Sequence, residues 1–88
     1  MASSRRKSAV HEPEYQYIIR RMREAREEAG LTQLEVAAAL NRPSSFVSKC
    51  ELGERRIDPV DLWRFADLYD KPLDYFYPER RRRAAKPK

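Results

Sequence analysis

Apolar residues recur at steps of four, three and four from Ile18 through Met22 and Ala25 to Ala29, the spacing of one face of an α-helix. Arg20, Arg21, Arg23, Glu24, Glu27 and Glu28 fill the other faces, so a first amphipathic helix is predicted from Tyr15 onward. Gly30 can take the left-handed conformation that ends it. Thr32 then offers an N-cap, and Glu35, three residues later, completes a capping box. The second helix carries Leu34, Ala37, Ala38 and Leu40, with Val36 nearby, and its small alanines let another backbone approach closely.

Asn41 tolerates the left-handed region and can close this helix. Arg42 and Pro43 form a turn, and Pro43 or Ser44 begins a third helix, since proline costs nothing at a first helical position. Val47 and Cys50, three apart, point to the core, whereas Ser44, Ser45, Ser48 and Lys49 point away. Gly53 ends this helix. Asp58 followed by Pro59 signals a fourth, as N-cap and first residue. It buries Leu62, Phe65, Ala66 and Tyr69, with Trp63 shielding its edge. Pro72 opens a short fifth helix around Leu73, Asp74, Tyr75 and Phe76, and Pro78 closes it. No segment alternates as a strand would, and nothing repeats. The predicted architecture is all-α, five helices with short connections, over residues 15–78. Residues 1–14 read as a disordered basic tail and residues 79–88 as a second basic tail.

Length and charge narrow the picture. Eighty-eight residues make one small domain, marginally stable alone, which dimerisation would help. A single cysteine, Cys50, excludes an internal disulfide and permits a reducing cytosol. No run approaches the roughly 20 apolar residues of a membrane span, and no apolar stretch follows the basic N-terminus as in a secretory signal. The expected location is cytoplasmic, with no membrane partner. The net charge of +5 is unevenly placed. Arg80, Arg81, Arg82, Arg83, Lys86 and Lys88 against Glu79 give residues 79–88 a balance of +5, while residues 15–78 sum to −1. The folded part is not basic overall, so binding to nucleic acid would need a local cationic face, with the tails adding attraction.

Residues 31–56, two short helices joined by a tight turn, have the layout of a helix-turn-helix, one helix bracing and one reading the major groove. A reading helix needs small or polar side chains where it meets the bases, and Ser44, Ser45 and Ser48 fit. Lys49 is long enough to reach guanine O6 and N7, or a phosphate. Phe46 borders the exposed face, where it either touches a thymine methyl or packs back on the first helix. Phosphate contacts fall to Gln33, at the start of the second helix among free backbone N–H groups, to Arg42 ahead of the reading helix, and to Arg55 and Arg56 after it. One such arginine is an ordinary surface cation; several at both ends of the helix point to double-stranded DNA.

Enzyme chemistry has little support. His11 stands alone in the N-terminal tail, so no metal site is expected. The inward phase of Cys50 favours a small buried hydrophobe over a redox sensor. Glu24, Glu27 and Glu28 are better read as helix-surface charges paired with arginines than as an acid/base pair. No nucleophile and base set, glycine-rich phosphate loop or cofactor motif occurs, and no cofactor is expected.

The segments LTQ opening the second helix, SFVSK.E.GERR across the third and P.DL..FA..Y in the fourth resemble the Cro/repressor type of helix-turn-helix, the xenobiotic-response-element family. The resemblance covers about residues 16–77. It implies a five-helix, repressor-like domain that binds operator DNA in a sequence-specific manner, usually as a dimer. It places base contacts on Ser44, Ser45, Ser48 and Lys49 and phosphate contacts on Gln33, Arg42, Arg55 and Arg56. It also implies a structural ion pair between Arg26, near the end of the first helix, and Glu51, near the end of the third. Two positions depart from the pattern: Asp70 stands where glycine is frequent, and Ser44 where a longer glutamine is common.

The leading expectation is a prokaryotic or phage-type transcriptional regulator, a repressor acting as a homodimer on a palindromic operator. Tyr69, Tyr75 and Tyr77 are assigned to the dimer interface, because a short terminal helix holds more aromatic surface than its own domain can bury; the alternative is that these rings lid the core. The rival class is an antitoxin or protein-interaction subunit that also binds its own promoter. Residues 79–88 offer such a partner only Ala84, Ala85 and Pro87 as apolar anchors, which argues against it. RNA binding lacks an exposed aromatic platform.

Overall fold

The computed structural model describes residues 12–78. The chain forms α1 (Pro13–Glu28), α2 (Gln33–Ala39), α3 (Phe46–Leu52) and α4 (Pro59–Tyr69), followed by a 3-10 turn, Leu73–Phe76. No strand occurs among the described residues. The helix starts follow from local chemistry. Thr32 Oγ1 accepts the backbone N–H of Glu35 at 3.1 Å while the Glu35 carboxylate accepts the Thr32 N–H at 2.9 Å, closing the capping box on α2. Asp58 Oδ1 accepts the N–H of Asp61 at 2.8 Å, and Pro59 takes the first position of α4.

The helix ends use left-handed residues. Gly53 closes α3 at φ 81°, a conformation that lacks a steric penalty only without a Cβ. Asn41 and Asp70 also stand at φ 60°. Asp70 therefore takes, as the C-cap of α4, the left-handed backbone that glycine adopts without strain.

Four expectations are corrected. The fifth helix is a four-residue 3-10 turn. The segment is bounded by Pro72 and Pro78, and its bonds are of the i to i+3 kind, from Tyr75 N–H to the Pro72 carbonyl and from Tyr77 N–H to the Asp74 carbonyl. α3 starts at Phe46 instead of Pro43 or Ser44, because the Phe46 N–H closes a turn onto the Pro43 carbonyl at 2.9 Å. α1 starts at Pro13, so Pro13 and Glu14 belong to the helix and not to the tail; residues 1–11 and 79–88 lie outside the described residues. The buried stripe of α1 is Ile19, Met22 and Ala25. Ile18 is only partly covered, and Ala29, the C-cap, is exposed.

The core is built around Phe65 of α4. Its ring stacks on Phe46 of α3 (centroids 5.9 Å apart) and on Tyr69 (5.8 Å), with Met22, Val36, Val47, Cys50 and Phe76 fully buried around them. Trp63, expected to shield an edge of the core, is 57% exposed, and Leu34 and Leu73 are also exposed.

Candidate nucleic-acid interface

α3 is two-sided because its period brings Phe46, Val47 and Cys50 inward and turns Ser45 and Lys49 outward. Ser44 lies exposed in the turn before it. Ser48 is half-buried, and its hydroxyl donates to the Ser45 carbonyl at 3.1 Å. The four expected base-reading residues thus share one polar surface, backed by the core. Buried Val36 and Ala37 hold α2 against that core. Of the alanines of α2, Ala37 is buried, whereas Ala38 and Ala39 are exposed.

The cations around α3 are placed with different firmness. Phe46 points inward and joins the core cluster that includes Met22 of α1. It is buried against α4, and the guanidinium groups of Arg42 and Arg55 lie over its ring at 4.7 Å and 5.0 Å from the centroid. One core ring therefore collects an arginine from each end of α3. Arg42 is fixed further: its Nη2 donates to Asp61 Oδ1 at 2.8 Å, and the Asp61 side chain is 5% exposed. Arg55 is positioned through its backbone, because the Lys49 carbonyl accepts the N–H groups of Glu54 (2.9 Å) and Arg55 (3.2 Å). Arg56 sits over Tyr15 of α1 at 5.4 Å, and the Tyr15 hydroxyl accepts the Ile57 N–H at 3.0 Å. Gln33, at the start of α2, donates through Nε2 to Glu51 Oε1 at 3.0 Å.

Arg26 and Glu51 meet as an ion pair at 2.8 Å, tying α1 to α3. Arg26 Nη1 also donates to the Leu31 carbonyl at 3.0 Å, so the same guanidinium holds the link into α2. Donating its hydrogen bonds to the Glu51 carboxylate keeps the Arg26 pKa above its ordinary value, against an opposing effect of burial.

The tyrosines are redistributed relative to expectation. Tyr69 is 3% exposed and belongs to the core, so it is withdrawn from the interface set. Its hydroxyl is buried with no hydrogen-bond partner among the described residues, and burial pushes its pKa up. Tyr75 is half-buried beneath the Arg21 guanidinium (3.7 Å) and the Lys71 ammonium (4.6 Å), and its carbonyl accepts Arg21 Nε at 3.0 Å. Only Tyr77, 46% exposed, remains open. The Asp61 anchor for Arg42 escaped the sequence reading. An acid in the first turn of a helix is favoured there by the helix dipole, so no buried partner is implied by its presence.

Among the described residues no group of three or more His, Cys, Asp or Glu side chains is placed to hold a metal ion. None of their helices is long and apolar enough to cross a membrane.

Residues 20–74, from inside α1 into the 3-10 turn, match the family described as a helix-turn-helix domain, and the chain belongs to that family. That family assignment supports DNA as the partner. No curated protein matches the chain.

Proposed function

We propose that the protein is a sequence-specific regulator of transcription, a repressor that lays α3 in the major groove of double-stranded DNA and acts as a homodimer on a near-palindromic operator. The observation that carries this reading is the shared polar surface of Ser44, Ser45, Ser48 and Lys49, flanked by arginines from both ends of α3. Serines keep the helix close to the base edges, and Lys49 reaches a guanine. Arg42, Arg55 and Arg56, with Gln33, contact phosphates and set the register. Arg42 and Arg55 are held over Phe46, which lowers the entropy lost when they engage the backbone of the duplex. Gln33 needs only to exchange its bond to Glu51. Two subunits related by a two-fold axis would present their reading helices about 34–36 Å apart, one helical turn of DNA.

The test is selection of bound duplexes from a random pool with the full-length chain. A palindromic consensus with half-sites one turn apart is expected. Recovery of unrelated sequences, at affinities equal to bulk DNA, would refute sequence-specific reading.

A further inference from the structure

α4 has a second face that the fold leaves uncovered. Val60, Trp63, Arg64 and Asp67 are all exposed, and they recur at i, i+3, i+4 and i+7, one stripe of the helix opposite Leu62, Phe65, Ala66 and Tyr69. Trp63 and Val60 are 57% and 54% exposed. Arg64 and Asp67, three residues apart beside them, make no ion pair among the described residues. Of the three tyrosines near the C-terminus, Tyr69 is in the core and Tyr75 lies under Arg21 and Lys71, so Tyr77 alone is exposed and the three form no shared open face.

We infer that this face receives a second copy of the chain, α4 packing antiparallel on α4 across a two-fold axis. The charges favour this occupant. In an antiparallel pair Arg64 of one copy stands opposite Asp67 of the other, twice over, so the stripe is complementary to itself. The indole supplies apolar area beside these pairs, with a polar N–H at its edge. Four side chains cover less than the roughly 800 Å² per partner of a standard interface, so the pair is weak in free solution and strengthens when one DNA duplex holds both subunits. The inference rests on the homodimer reading above and names its surface.

Trp63 is the one tryptophan of the chain, so its fluorescence reports on this face directly. Emission and sedimentation are measured together from nanomolar to tens of micromolar protein, with circular dichroism confirming the fold of each variant. A blue shift of the emission in step with dimerisation is expected. Arg64→Asp and Asp67→Arg should each remain monomeric where the wild type dimerises, and the double exchange should restore the dimer. A wild-type dimer with unmoved Trp63 emission and unaffected by either single exchange would overturn this surface while leaving the homodimer reading intact. A wild type that stays monomeric and binds its selected DNA as one copy per site would overturn both.

Discussion

Arg26 and Glu51 form a two-bonded ion pair, Nε to Oε2 at 2.8 Å and Nη2 to Oε1 at 3.1 Å, with side chains only 12% and 5% exposed. Gln33 adds a third bond to the same carboxylate, at 3.0 Å. One acid thereby holds the end of α1, the start of α2 and the last turn of α3 together. Glu51→Gln leaves a buried guanidinium without its counter-charge, and the expected cost is about 3–5 kcal/mol. Urea unfolding measures it, and an unchanged midpoint would show that the pair contributes nothing to stability.

Arg42 and Arg56 flank α3 alike in sequence, but they differ in what they hold. Arg42 neutralises the buried carboxylate of Asp61, while Arg56 only covers Tyr15. Because the Arg42 side chain is 29% exposed, Arg42→Ala is expected to cost about 1–3 kcal/mol of stability, less than breaking a fully buried pair. Arg56→Ala should cost under about 1 kcal/mol. A double-mutant cycle with Asp61→Asn would isolate the pair, and a coupling energy near zero would remove Asp61 from the account.

On DNA the outward residues of α3 should separate into two kinds. Lys49→Ala is expected to lose about 1–3 kcal/mol on the selected operator and to relax the preference at one base position. Arg55→Ala and Arg56→Ala should weaken all sequences about equally and flatten the dependence of log K on log salt by about one unit each. Titrations on operator and random duplexes at several salt concentrations distinguish them. An equal loss on both duplexes for Lys49→Ala would end its assignment to the bases.

Cys50 should be inert while the protein is folded. Burial pushes its thiol from an ordinary 9.0 up to about 11, which lowers the thiolate fraction at pH 8 roughly a hundredfold. Alkylation at pH 8 is expected to be at least that much slower in buffer than in urea. Comparable rates in the two would show that the α3 interior opens readily or that the thiol is not desolvated.

Much of the architecture was legible in the chain because it depends on neighbours in sequence. Thr32 with Glu35, Asp58 with Pro59, Asn41 and Gly53 bound helices through hydrogen bonds and φ values that span only a few residues. The polar face of α3 was legible for the same reason: helical phase alone decides that Val47 and Cys50 point one way while Ser45 and Lys49 point the other. What required the tertiary structure was every choice between two partners. Phe46 had no local reason to prefer Phe65 of α4, nor Arg42 to prefer Asp61, nineteen residues away. Tyr69 and Tyr75 look equally amphipathic in sequence, yet one is sealed in the core and the other lies under Arg21 of α1. The final helix shrank to a 3-10 turn between two prolines, while Trp63, apolar enough for any core, was left on the outer face of α4. Helix periodicity sorts residues onto faces, but which face is covered depends on how the helices cross, and that is settled by long-range packing.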